Sequence, residues 1–235
     1  MFEAFKSILP AGARRRMGWA RRRMAIGVST EPVSRCFGLD RGTPIDRYYI
    51  EGFLKSRAAD IRGDVLEVSD NSYTRRFGAE KVVKSHVLSV DPKNHDATII
   101  ADLTQVESLP IGAMDCIICT QTLQFIYDVR VAAKSLHRML RPGGVALITV
   151  PGITQVARYD MDHWGEYWRF TTLSVRRLLA EAFDEDAIEI KAHGNAMTSA
   201  ALLYGLPVSD LKPAELDHND RDYEMLITAR ALRRA

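Results

Sequence analysis

Apolar residues in this chain gather into short unbroken runs separated by stretches of helical spacing. The first run is VLEV at 65–68, and others follow at 87–90, 98–101, 115–119, 145–150, 187–192 and 224–231. Runs of this length without polar alternation read as strands covered on both faces. Between them, recurrence at three and four residues predicts helices over 44–61, 129–140, 172–183 and 195–204, and a shorter one over 73–77. Thr43 stands as N-cap of the first helix, with Pro44 at its first helical position. Residues 29–44 are punctuated by Pro32, Gly38, Gly42 and Pro44 and read as irregular, and Arg141-Pro142-Gly143-Gly144 as a turn. Strands and helices in alternation imply an α/β domain on a mostly parallel sheet.

Three of the strand-like runs end on carboxylates: Glu67, then Asp91 after HVLSV, then Asp102 after ATIIA. Carboxylates along one edge of a parallel sheet form a crevice for a ligand rich in hydroxyl and amine donors, such as a nucleoside. A nicotinamide dinucleotide would need G-x-G-x-x-G after the first strand, to bring its pyrophosphate onto backbone amides. Here that segment is Ser69-Asp70-Asn71-Ser72-Tyr73-Thr74, which has no glycine, and Asp70 would repel a pyrophosphate.

The remaining nucleoside cofactor of this kind is S-adenosyl-L-methionine, and from here the chain resembles the class I methyltransferases that use it. VLEV at 65–68 is similar to that family's first motif, SVD at 89–91 to its second, and ADL at 101–103 to the segment that meets the adenine. MDCIICTQTLQFI at 114–126 resembles its fourth strand and loop, and LRPGG at 140–144 the turn before its fifth. The resemblance spans roughly residues 60–185, and it is nearest to a bacterial small-molecule and glycan branch (methyltransferase type 11-like) with a variant first motif. It implies a Rossmann-like, seven-stranded, mostly parallel sheet with helices on both faces and an antiparallel last strand. It also implies a cofactor held by Glu67, Ser69, Asn71, Tyr73, Arg75, Asp91, Asp102, Leu103, Thr120 and Gln121. Asp91 would accept from the ribose hydroxyls and Asp102 from the adenine amine; Arg75 or Arg76 would bind the carboxylate.

The family's glycines are replaced by Ser69, Asn71 and Tyr73. Tyr73 cannot imitate glycine, so the loop must be rebuilt: the chain is either a methyltransferase with altered cofactor contacts or a scaffold that has lost its cofactor.

Residues 151–171, PGITQVARYDMDHWGEYWRFT, are too long for a plain connector at the carboxyl edge of a sheet. His163 is the expected general base, with Asp162 or Glu166 orienting its ring. Tyr159, Trp164, Trp168 and Arg169, together with Tyr48, are expected to bind the acceptor. Thr43, Arg47 and Tyr49 share the 41–54 stretch that would cover the methionine end, or they belong to an ordinary packing helix. The resemblance of WRFTTLSVRRLLAEAF at 168–183 to methyltransferases found beside glycan genes implies a sugar or glycan hydroxyl, or another small molecule, as acceptor.

Composition alters this picture mainly at the N terminus. The net charge of +2 conceals a leader, residues 1–24, with seven basic side chains against one acidic; the remainder carries 25 basic and 29 acidic. The expected organisation is a basic helical extension over 1–40 and a catalytic domain over 41–235. The leader either meets an anionic membrane surface or is a solvated arm. RNA methylation is the alternative for those arginines, although nucleic acid fits poorly with the acidic body. No stretch is long and apolar enough to span a bilayer and no secretory pattern is present, so a cytoplasmic, membrane-peripheral place is expected. Cys116 and Cys119 lie in a strand pattern whose alternation sends them to opposite faces, which indicates core packing. No metal site is expected, and the oligomeric state is open.

Overall fold

The computed structural model describes residue 26 and residues 29–234, so the arginine-rich leader lies outside the described residues. Seven strands form one sheet: β1 (Gly63–Val68), β2 (Val82–Ser89), β3 (Ile99–Ile100), β4 (Met114–Thr120), β5 (Leu140–Pro151), β6 (Ile188–His193) and β7 (Leu226–Leu232). Their order is β3-β2-β1-β4-β5-β7-β6, and β7 runs antiparallel to both neighbours. The helices are α1 (Ile45–Ser56), α2 (Val129–Met139), α3 (Arg158–His163), α4 (Thr172–Ala180), α5 (Ala196–Leu203) and α6 (Pro213–Asp217).

Side-chain alternation along the central strands divides the interior into two cores. Leu66, Ile117, Cys119 and Ile148 pack with Ala132, Leu136 and Leu179 of α2 and α4. Val65, Cys116, Ile118 and Leu147 pack with Ile45, Leu54 and Leu202 of α1 and α5. The two cysteines therefore face opposite layers, as expected of neighbours an odd number of residues apart on one strand. Burial pushes both thiols up, that of Cys119 to about 12, which makes them inert core residues.

Several boundaries differ from expectation. Pro44, not Thr43, occupies the N-cap of α1, and no side chain caps that helix. The backbone of Thr43 is engaged elsewhere, its carbonyl accepting the Val208 amide at 2.8 Å. The anticipated turn at 141–144 lies within β5. Met114 pairs with Leu140 and Cys116 with Val145, so residues 141–144 of β5 stand against Asp115 alone on the β4 side, with Gly143 at φ +81°. β2 starts five residues before its apolar run because pairing with β1 recruits the polar Lys84 and Ser85. The helix expected at 73–77 is a π turn, Thr74–Gly78.

His193, at the end of β6, packs against the Tyr49 ring at 5.4 Å, and its Nε2 lies 3.0 Å from the Thr228 hydroxyl. Burial, then the Lys191 charge, pulls its pKa down to about 4. The fold thus favours the neutral ring, and on acidification the unfolded chain takes up this proton first. The contribution is complete above about pH 6.5 and is lost as pH falls towards 4; it amounts to about 2 kcal/mol after allowance for partial exposure. Urea unfolding of His193→Gln should differ less between pH 7 and pH 5 than that of the wild type. An equal difference would remove this group from the account.

Candidate functional site

Strand order reverses between β1 and β4. Their carboxyl ends open into a cleft of about 1180 Å³, the position where open α/β sheets bind ligands. Glu67 at the end of β1 is 2% exposed. Its carboxylate accepts the Tyr73 amide at 3.2 Å and, at 2.7 Å each, the amide and hydroxyl of Thr74. Burial raises its pKa against these donors. Glu67 therefore shapes the first loop from within as well as lining the cleft. Ser69, where the related motif has glycine, sits at φ +79°. Its amide donates to Leu88 O, and its carbonyl accepts from the Asn94 side chain at 2.8 Å.

A Cβ in that left-handed region costs about 1–2 kcal/mol. Ser69→Gly should stabilise the fold by up to about 1 kcal/mol, after glycine's entropic cost is subtracted. Equilibrium denaturation measures this, and a destabilised variant would mean that the serine hydroxyl makes a compensating contact. Tyr73 does not fill the hollow: its ring stacks on Phe77 with centroids 6.0 Å apart, along the wall.

Of the other expected cofactor ligands, Asp91, Asp102, Leu103, Thr120 and Gln121 all line the cleft. Asp91 Oδ1 accepts the Lys93 amide at 2.9 Å, and Asp102 Oδ1 accepts the amide and hydroxyl of Thr104 at 2.7 and 2.9 Å. Each carboxylate keeps a second oxygen for a ligand. Two expected residues stand away. Asn71 donates to Ser85 Oγ at 3.1 Å, and Arg75 is exposed off the cleft. Arg76, its alternative, pairs with Glu51 at 2.8 Å. Arg47 of α1 lines the cleft instead. Tyr48, expected in the acceptor pocket, donates to Asp217 at 2.6 Å and lines a separate cavity of about 660 Å³ together with Thr43 and Tyr49.

The 151–171 loop folds against the β4 loop. The amides of Tyr167 and Trp168 donate to Gln124 O, and Trp168 Nε1 donates to Ile126 O at 2.9 Å. Tyr159, Trp164 and Tyr167 line the cleft, as does Tyr127 across from them, which meets Tyr167 edge-on at 5.3 Å. Of the expected catalytic residues, Glu166 lines the cleft, whereas His163 and Asp162 do not. His163 turns from the cleft, stacks on Tyr159 at 4.1 Å and directs Nδ1 to Tyr159 O at 2.7 Å. Asp162 pairs with Arg158 at 3.2 Å, outside the cleft. Glu166 is consumed in holding the loop, with Arg169 at 2.7 Å and the Ala157 amide at 2.8 Å. Arg169 also donates to Trp168 O and Gln155 O, and neither it nor Trp168 lines the cleft.

Sequence reasoning passed over Asp160, which lines the cleft. Burial and then the Glu166 charge raise its pKa, with His163 opposing. A signal was present: Asp160 and Trp164 are four residues apart, hence on one side of a helical turn. Also passed over was Gln124, 3% exposed and lining the cleft. Its Nε2 reaches Gln121 Oε1 at 3.4 Å, while Gln124 Oε1 and Gln121 Nε2 are buried without partners.

The lining is strongly acidic. With Asp46, Asp70 and Asp128 there are eight carboxylates, one of them neutralised by Arg169, against a single guanidinium, Arg47, among the described residues. Those residues hold no cluster of three or more side chains suited to a metal.

The fold resembles that of an S-adenosylmethionine-dependent methyltransferase from Archaeoglobus fulgidus at 9% identity and TM-score 0.53, covering 79% of this chain and 94% of that one. It also resembles the N-methyltransferase NodS of Bradyrhizobium japonicum WM9, solved with S-adenosyl-L-homocysteine, at 15% identity and TM-score 0.53, covering 92% and 97%. No curated protein sequence matches the chain. The family profile of the methyltransferase domain matches residues 50–189, from the second turn of α1 to the start of β6. Over that span lie the carboxylates Glu67, Asp91 and Asp102 of the cleft, and the chain belongs to the methyltransferase domain family, as an S-adenosylmethionine-dependent enzyme.

Proposed function

We propose that this enzyme methylates a hydroxyl of an uncharged sugar, glycan or other small molecule, with Asp160 as general base. The observation that carries this reading is the placement of Asp160. It is a carboxylate of raised pKa with no side-chain hydrogen bond or ion pair among the described residues, in a cleft that Tyr127, Tyr159, Trp164 and Tyr167 also line. Aromatic faces with a few polar groups suit the apolar side and hydroxyls of a sugar ring or polycyclic molecule. Asp91 would accept from the cofactor's ribose hydroxyls and Asp102 from its amine, with Leu103 as apolar floor. When bound, S-adenosylmethionine supplies a methyl group on a positively charged sulfur. Asp160 holds the acceptor's proton on its carboxylate as the hydroxyl oxygen becomes nucleophilic, because a neutral alcohol is a weak nucleophile.

The excess of carboxylates supports a second reading, an amine acceptor, whose cation they would attract. The same excess disfavours phosphorylated acceptors and RNA. The bacterial glycan branch fits the first reading, and an anionic membrane remains the surface proposed for residues 1–24. Incubation with methyl-labelled cofactor and three acceptor sets (neutral glycosides, amino sugars and sugar phosphates) tests these alternatives. Label on neutral glycosides supports the hydroxyl reading, label confined to amines supports the second, and label confined to phosphates overturns both.

A further inference from the structure

The first loop holds few free backbone donors. The Ser69 amide donates to Leu88 O, Ser72 to Asp70 Oδ1, Tyr73 and Thr74 to Glu67, and Arg75 to Asn71 O. A zwitterionic ligand end laid against this loop therefore finds most of its amides already engaged. Beside it, the β4 loop presents the opposite condition. Residue 121 stands as far beyond Ile118 as Asp70 stands beyond Glu67, and Glu67 and Ile118 are paired across the sheet. There Gln121, held at φ +48°, and Gln124 share one long hydrogen bond and leave one donor and one acceptor buried and unpaired. Turning both amides over preserves that bond and again leaves one donor and one acceptor. A buried unpaired amide group costs about 1–3 kcal/mol, so a pair of them beside a cleft gains from a ligand or ordered water that supplies both partners.

We propose that the Gln121–Gln124 amide pair, together with Arg47, grips the amino-acid end of the cofactor and replaces the backbone contacts that the glycine-free first loop does not offer. An α-ammonium and α-carboxylate supply one donor and one acceptor on adjacent atoms, which matches the two vacancies. Arg47 acts on the same end of the cleft: its charge reaches Tyr73 of the first loop, and it forms no ion pair among the described residues. This inference rests on the cofactor assignment and deepens it.

The test is calorimetric titration with S-adenosylhomocysteine and with 5′-methylthioadenosine, which keeps the nucleoside and sulfur but lacks the amino-acid end. Gln124→Leu should weaken S-adenosylhomocysteine about 10- to 100-fold, as for lost hydrogen bonds to charged groups. It should leave 5′-methylthioadenosine within about twofold. Gln121→Leu and the exposed Arg47→Gln should show the same divergence and carry the test should Gln124→Leu fail to fold. Equal losses for both ligands, or no loss for either, would overturn the proposal. A wild-type protein that binds neither ligand would instead overturn the cofactor assignment beneath it.

Discussion

Asp160→Asn should lower kcat by about 10²- to 10⁴-fold, the range expected when a positioned general base is removed. The asparagine keeps the shape of the side chain and cannot take a proton. The wild-type pH profile should carry an acidic limb above the ordinary aspartate range, because burial and the neighbouring Glu166 hold the Asp160 carboxyl protonated to higher pH. The rate therefore falls as pH is lowered through that raised value, and the limb should vanish in the variant. Linkage gives a second readout. A carboxyl whose folded pKa is raised opposes folding once ionised, so Asp160→Asn should be at least as stable as the wild type near neutral pH. If His163→Ala removed the limb and Asp160→Asn did not, the base would be the histidine and the loop would have to rotate on binding.

Asp91→Ala should weaken S-adenosylhomocysteine binding about 100-fold or more, seen by calorimetry as loss of a measurable heat at micromolar protein. One carboxylate accepting two ribose hydroxyls makes two charge-assisted bonds of about 1.5–3 kcal/mol each, and the pair is not strictly additive. The turn after β2 should survive, since its other bonds, such as Asp91 N–H to Ser89 Oγ at 3.1 Å, use the backbone. Asp91→Asn, which keeps an acceptor without the charge, should fall between. An undiminished affinity in Asp91→Ala would place the nucleoside elsewhere in the cleft.

What could be read from the residues alone was whatever a period or a strand end records. Strands buried on both faces print as unbroken apolar runs, so the sheet, its cysteines and the carboxylates closing β1 and β2 were recognisable. The positive φ at Ser69 was not anticipated, because serine carries no local preference for that backbone region. The acceptor side was not recoverable in the same way. The helix Arg158–His163 is too short for an apolar period to show, and its direction decides whether Asp160 or His163 meets the cleft. Glu166 and Arg169 each had chemistry to offer, but tertiary pairing spent both. Tyr48 shares a helix with Arg47 yet looks into another cavity, a difference of about 100° that no local pattern specifies.

Because Cys116 and Cys119 lie back to back in separate layers, a thiol-reactive dye can serve as a clock for each half of the interior. Exposed Cys36 should be labelled first. The other two wait for their own layer to part, so peptide mapping of the label would tell whether the halves open in concert or one ahead of the other.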